Sequence, residues 1–100
     1  MYFVTCFEKV SAFDDGWLDT GAMRTVAYYD NFDDADDSLK ENCCDMHENT
    51  YNYAMIEKID QGMYALAEQR WFYKYDEIQN GYYPIEEPKE FEGRINFAIG

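Results

Sequence analysis

The fold is decided by the stretch Arg70-Trp71-Phe72-Tyr73-Lys74-Tyr75-Asp76, which carries the strongest strand signal in the chain. Aromatic residues fill its interior, and such residues favour the pleated surface of a sheet. Asn80-Gly81 follows, a pair typical of tight hairpin turns. Tyr82-Tyr83-Pro84-Ile85 then supplies the partner strand. Because Pro84 has no N–H to donate, this partner is expected at the edge of a sheet.

Working outward from this hairpin, period-two alternation of side chains predicts further strands. They cover residues 2–10, 23–29, 51–59 and 94–99. In the first of them both faces are apolar enough to be covered, which indicates a central strand. The segment 63–67 fits either a loop or a short helix, so the pattern does not assign it.

Two helices are predicted between and after these strands. Residues 30–43 form an amphipathic helix that begins at Asp30 or Asn31, because both residue types cap helices well. At 100° per residue, its apolar face carries Phe32, Ala35, Leu39 and Cys43. A short helix is expected at about residues 88–92, since Pro88 suits a first helical turn and Gly93 a helix end.

The element order predicts an α+β fold in a single domain that spans residues 1–100. We expect a mostly antiparallel sheet of about five to six strands. The acidic amphipathic helix and the short C-terminal helix are expected to pack on one face of this sheet. A chain of this length builds one hydrophobic core.

The charge balance restricts the class of partner. The chain has 21 Asp and Glu against 8 Lys and Arg, for a net charge of −13. Nucleic acids and anionic membranes are polyanions, and this chain lacks the cations that would neutralise them. We therefore predict no direct binding to nucleic acid or membrane, and favour basic proteins or cations as partners.

The cysteines indicate a reducing environment. Cys6, Cys43 and Cys44 are odd in number and two are adjacent, which is poor material for a disulfide framework. The first nine residues resemble a folded strand more than an export signal, so we expect a cytoplasmic protein.

No motif predicts catalysis or a resident cofactor. Structural zinc sites take four ligands in paired spacings, which Cys43, Cys44 and His47 do not provide. The same residues lack an evident orienting group for nucleophilic catalysis, and Cys43 is expected to be buried in the helix. The aspartates at 14–19 and 33–37 do not fit the calcium-binding EF-hand pattern. We predict a non-enzymatic protein with no metal and no cofactor.

The acidic helix carries the strongest indication of function. Between Asp30 and Glu48 the chain has eight acidic residues and one basic residue. The predicted partner-binding residues are Asp30, Asp33, Asp34, Asp37 and Glu41. Such a stripe of carboxylates fits a protein groove built for phosphates. The alternative is a solvated helix face that only keeps the protein soluble.

Aromatic residues on the predicted strands offer a second candidate surface. Tyrosine and tryptophan often anchor interfaces, although core packing accounts for most of those in a small sheet. The candidate patch consists of Trp71, Tyr73, Tyr75, Tyr82 and Tyr83. Two alternative functions depend on aromatic side chains. One is a protein that binds a nucleotide signal, with Arg24, Arg70 or Arg94 contacting the phosphates. The other is a homo-oligomeric accessory or structural protein, which associates through the tyrosine-rich sheet face or near Tyr82–Ile85.

Several segments carry a resemblance to a known group of proteins. They are Met1-Tyr2-Phe3-Val4-Thr5-Cys6-Phe7-Glu8-Lys9, Asp45-Met46-His47-Glu48, Tyr53-Ala54-Met55-Ile56-Glu57-Lys58-Ile59, Trp71-Phe72 and Asn96-Phe97-Ala98-Ile99-Gly100. Through them the whole chain resembles a group of small proteins from phages and prophages of gut Firmicutes. The resemblance implies a phage or mobile-element origin and an intracellular place of work, and it carries over no activity.

The leading hypothesis combines the charge pattern with this resemblance. Small acidic phage proteins are often inhibitors of host factors, some of them DNA mimics. By analogy, we expect a phage-type interaction protein that binds a basic, nucleic-acid-handling host protein. Its effect would be that of a DNA mimic or an anti-defence inhibitor.

Overall fold

The computed structural model describes residues 1–62, 67–93, 97 and 98, with the exception of the Glu68 side chain. Seven strands and one α-helix follow in chain order: β1 (Tyr2–Phe7), β2 (Ser11–Ala12), β3 (Leu18–Asp19), β4 (Met23–Tyr29), α1 (Phe32–Lys40), β5 (Tyr53–Ile59), β6 (Ala67–Asp76) and β7 (Gly81–Ile85). Two short 3-10 helices cover Cys43–Asp45 and Lys89–Phe91.

The main sheet has five strands in the order β4-β1-β5-β6-β7, and every neighbouring pair is antiparallel. β2 and β3 pair separately as a small hairpin. The predicted α+β class and the antiparallel sheet are confirmed at this level. β1 lies inside the sheet and β7 at its edge, as their sequences predict, and the strand predicted at 94–99 lies outside the described residues except for Phe97 and Ala98.

Side-chain alternation divides the core between the two faces of the sheet. On one face, Val4, Ile56 and Tyr73 pack against Ala35 and Leu39 of α1. The other face is covered by a cluster of Phe7, Met55, Phe72 and Phe91. The two faces alternate because successive strand residues point to opposite sides. This arrangement accounts for the apolar character of both faces of β1.

The short C-terminal helix differs from its prediction in length and position. Pro88 and Glu92 have extended ψ angles of 137° and 132°, so helical backbone is confined to Lys89–Phe91. This turn brings Phe91 against Phe7, on the face opposite α1. The expectation that both helices share one face is therefore wrong. A large apolar side chain at 91 covers the second face, which would otherwise expose Phe7 and Phe72.

α1 begins at the predicted cap but ends earlier than predicted. The Asn31 side-chain oxygen accepts a hydrogen bond from the Asp34 N–H at 2.9 Å, which satisfies one free donor of the first turn. Asp33 and Asp34 lie in that turn, where the helix dipole favours negative charge. The helix stops because Asn42 adopts a left-handed conformation with φ 47°. Cys43 is consequently exposed, and its predicted place on the apolar helix face is wrong.

A buried carboxylate fixes the end of the described chain. Glu57 in β5 has no exposed surface, and its two oxygens accept the backbone N–H groups of Phe97 and Ala98 at 2.9 and 2.8 Å. Such charge-assisted hydrogen bonds compensate the cost of burying the carboxylate. Glu57 thereby attaches Phe97 and Ala98 to the centre of the sheet.

Candidate functional site

The outer face of α1 is a continuous acidic surface. Asp33, Asp37 and Glu41 are all exposed and follow one another at intervals of four residues. Side chains at this interval lie about 5–6 Å apart on a helix, so the three carboxylates form a row. None of the ion pairs among the described residues involves any of the three. We call Asp33, Asp37 and Glu41 the acidic row.

Another carboxylate of α1, that of Asp36, faces the sheet and neutralises Lys40, the only cation of the helix. Asp36 accepts a hydrogen bond from the Tyr73 hydroxyl at 2.6 Å and pairs with the Lys40 ammonium at 2.7 Å. Burial and the Asp36 hydrogen bond raise the pKa of Tyr73, and the Asp36 carboxylate raises that of Lys40. Lys40 is thereby held toward Asp36, and the Asp37 and Asp33 carboxylates raise its pKa further.

The two remaining predicted partner-binding residues flank the row. Asp30 is exposed just before the helix cap. Asp34 is also exposed, but its carboxylate accepts a hydrogen bond from the Asn31 side-chain amide at 3.0 Å. Asp34 therefore contributes to the helix start as well as to the surface charge. All five predicted residues are accessible, and whether they bind a partner stays a prediction.

The predicted aromatic patch does not form one surface. Tyr73 and Tyr82 are 1% and 2% exposed and belong to the core under α1. Trp71 and Tyr75 share that face and are half-buried, whereas Tyr83 pairs with Lys74 and lies on the opposite face. The set is divided because the helix covers the face that four of its members share. Burial also raises the pKa of Tyr82, which holds its phenol in the neutral form.

The arginines of the nucleotide alternative are separated. Arg24 pairs with Cys6 on the α1 side of the sheet, whereas Arg70 pairs with Glu57 and lies over the Phe72 ring on the other side. Arg70 also binds the Glu87 carboxylate at 3.0 Å. Arg94 lies outside the described residues. One phosphate site therefore cannot use both Arg24 and Arg70.

The edge proposed for self-association contains a barrier to strand pairing. β7 is at the edge of the sheet, but Pro84, the fourth of its five residues, has no N–H to donate to an added strand. The opposite edge, β4, is interrupted by a register shift opposite Val4 and Thr5 that leaves Val26 without a counterpart in β1. This bulge places Arg24 on the α1 face together with Ala27.

The cysteines and the histidine do not form a catalytic arrangement. Cys6 is buried, and burial raises its pKa to about 11, so it stays a neutral thiol. The pKa of Cys43 is raised by the neighbouring Cys44 thiol. His47 is buried against the Tyr75 ring at 3.6 Å, with its Nε2 at 3.1 Å from the Asn52 side-chain oxygen. These contacts identify His47 as a core residue rather than a nucleophile's base.

Several apolar side chains are exposed at positions where the sequence pattern does not predict exposure. Trp17 and Phe13 lie at the β2–β3 hairpin with 64% and 55% of their surface exposed, and Tyr28 on β4 is equally open. The strand predicted at 23–29 contains Tyr28, but its pattern does not show which face a neighbouring element covers. Exposure depends on which face a neighbouring element covers, and this information is tertiary.

Comparisons with known proteins give no relative from which a role could be transferred. No family model, no curated protein and no solved structure matches this chain. Within the described ranges, no helix is long and apolar enough to cross a membrane. The geometry and charge of the surface therefore carry the functional argument.

Proposed function

We propose that this protein binds a basic protein partner through the outer face of α1. The observation that carries the proposal is the acidic row: Asp33, Asp37 and Glu41 are exposed and outside the ion pairs, while Lys40 is held by Asp36. Like charges spaced one helical turn apart destabilise a helix by a few tenths of a kcal/mol per pair. A cationic groove in a partner would relieve this repulsion and gain from charge complementarity.

The chemistry of the row favours a partner that handles nucleic acid. Proteins of that class present grooves of Lys and Arg to phosphates, and a rigid row of carboxylates offers them negative charges at regular spacing. The helix is a suitable carrier because Ala35 and Leu39 anchor it in the core, which limits the entropy cost of ordering the row. In this proposal the protein acts without catalysis. It competes with nucleic acid for a binding site on a protein of a phage host, either a defence protein or another protein that handles nucleic acid.

Affinity capture with a matched pair of charge-reversal variants tests the proposal. Asp37→Lys with Glu41→Lys changes the row, whereas Glu86→Lys with Glu92→Lys makes the same change in net charge at exposed positions outside α1. We expect basic proteins to be captured, to be released by salt and duplex DNA, and to be lost only with the first variant. Partners that are not basic, or equal loss with both variants, would contradict the proposal.

A further inference from the structure

Two adjacent cysteine thiols lie close together on the surface, in the turn that follows α1. Cys43 and Cys44 are both exposed, and their sulfur atoms lie 3.8 Å apart. Neighbouring side chains diverge in regular structure, by about 100° around a helix and to opposite faces of a strand. Here Cys44 has left-handed backbone angles, φ 56° and ψ 25°, which bring the two thiols to the same side.

The turn that presents the thiols is built and held by a buried side chain. Asn42 donates from its amide to the Asp45 carboxylate at 3.2 Å, and its oxygen accepts the His47 N–H at 3.0 Å. Asn42, Cys44 and Asp45 all have positive φ, between 47° and 56°. A left-handed conformation costs a residue other than glycine roughly 1–2 kcal/mol, and asparagine and aspartate tolerate it best. Cys44 adopts it because Asn42 fixes both ends of the turn.

The separation of the sulfur atoms is that of a hydrogen bond between the two thiols, and it also fits a shared soft cation. Two thiolates at about 2.3 Å from a tetrahedral Zn²⁺ lie about 3.8 Å from each other, which is the separation between Cys43 and Cys44. A disulfide fits less well, because neighbouring Cα atoms are about 3.8 Å apart and disulfides usually span about 4.4–6.8 Å. The geometry therefore favours chelation by both thiols over a bond between them.

The surroundings of the pair also favour a cation. Both cysteines line an open cavity of about 410 Å³, together with Asp45 and Glu48. Their carboxylates add to the field of a chain with net charge −13. Arg24 lies in the same wall and is drawn to Glu48 at 3.6 Å. Among the described residues, no group of three or more acidic, histidine or cysteine side chains is arranged to hold a metal ion.

We propose that Cys43 and Cys44 form a two-thiolate chelate for a soft divalent cation such as Zn²⁺ or Cd²⁺. Thiolates select soft cations over Mg²⁺ and Ca²⁺. Two sulfur–metal bonds form, two protons pass from the thiols to solvent, and two waters leave the cation; no electrons are transferred. The remaining coordination positions are open to water or an exogenous thiol, so the site suits capture or exchange of the cation. The acidic row does not take part.

Titration with Cd²⁺ alone, on the reduced full chain in excess Ca²⁺, tests the proposal. The excess Ca²⁺ occupies carboxylate sites, so that Cd²⁺ is left to bind the cysteines. Binding of Cd²⁺ by the thiolates is then measured by the ultraviolet thiolate-to-cadmium absorption band. We expect one Cd²⁺ per chain and two protons released. Cys43→Ser and Cys44→Ser should each weaken binding at least about tenfold, since loss of even an outer partner of a metal ligand has that effect.

The buried thiol is the matched control. Cys6→Ser should leave the absorption and the affinity unchanged, because Cys6 has no exposed surface. Circular dichroism of each variant confirms that it folds. Absence of the band, a band that survives either surface variant, or a band that depends on Cys6 would overturn the proposal. One Cd²⁺ for every two chains would also overturn it, because the open positions would then be filled by a second copy.

Discussion

Gly81 lies directly against the carbonyl group of Lys40. A Cβ atom at position 81 would stand 1.9 Å from the Lys40 oxygen and 2.9 Å from its carbonyl carbon. Both atoms belong to the backbone at the last residue of α1, so neither can move aside as a flexible side chain would. The absence of a side chain at Gly81 thus permits the end of the acidic helix to approach the edge strand β7.

Substitution of Gly81 by alanine is therefore expected to be severe. Gly81→Ala should lower the free energy of unfolding by about 3 kcal/mol, at the upper end of the usual cost of overpacking. Urea denaturation measures this loss. Gln79→Ala, in the exposed turn before β7, is the control and should change stability by less than about 0.5 kcal/mol. A stable Gly81→Ala variant would show that the helix end does not need this contact.

The hydrogen bonds of Glu57 lead to a second prediction. Glu57→Gln replaces one acceptor oxygen by an amide that donates, opposite the N–H of Phe97 or Ala98. A buried group without its partner costs about 1–3 kcal/mol, so we expect a loss of about 2 kcal/mol. Hydrogen exchange at the two amides should accelerate beyond the global change. Glu86→Gln, at an exposed position, serves as the control, and unchanged exchange at 97 and 98 would contradict the role of Glu57.

Alkaline pH should destabilise the fold in two stages. Burial raises the pKa of Cys6 from 9.0 to about 11 and raises that of Tyr73 above its usual 10.0. In the unfolded chain these groups lose their protons first, so the folded state binds more protons and stability falls as pH rises. The stabilisation is complete below pH 9 and declines between 9 and 11 for Cys6, and above 10 for Tyr73.

Urea midpoints measured across this pH range check the assignment. Each buried group contributes a slope of up to about 1.4 kcal/mol per pH unit while it titrates only in the unfolded chain. Cys6→Ala should remove the decline that begins at pH 9, and Tyr73→Phe part of the decline above pH 10. Tyr28→Phe alters an exposed phenol and should leave the profile as it is. A profile that none of the buried-site variants changes would exclude these groups as the cause.

The turn after α1 stores backbone strain that glycine should release. Glu48 has φ 51°, which costs a residue with a Cβ roughly 1–2 kcal/mol. Glycine loses about 0.5–1 kcal/mol more chain entropy on folding, so Glu48→Gly should raise the free energy of unfolding by about 0.5–1 kcal/mol. Thermal denaturation shows the gain. Glu48→Ala removes the same carboxylate but keeps the strain, and should not be more stable than the parent chain.

The strands and the helix start could be predicted from local patterns. The strands at Arg70–Asp76 and at the N-terminus show the two-residue alternation of side chains that is typical of a strand. This period can be read from neighbouring residues without knowledge of any distant contact. Asn31 is one of the two caps that the sequence predicts, and its side chain reaches the N–H of Asp34 within its own helical turn. Pro84 at an edge follows from its missing N–H. Each of these features depends on residues a few positions apart.

Other features of the surface could not be predicted in this way. Tyr73 and Tyr82 belong to a recognisable strand pattern, but α1 covers their face and removes them from the surface. The pattern also predicts a helix as far as Cys43, because nothing local shows that Asn42 is held in a left-handed turn by Asp45 and His47. The exposure of Cys43 and its approach to Cys44 follow from that turn.

The sequence alone determined the sheet-forming segments, the acidic helix and the sign of the electrostatic field, since period, capping and net charge are local or additive properties. Only the tertiary structure decided which carboxylates face solvent, which tyrosines are buried and where the thiols meet. These outcomes depend on contacts between segments far apart in the chain, such as Asp36 with Tyr73 and Gly81 with Lys40. Packing selects one arrangement of such contacts because the whole core must be filled at once.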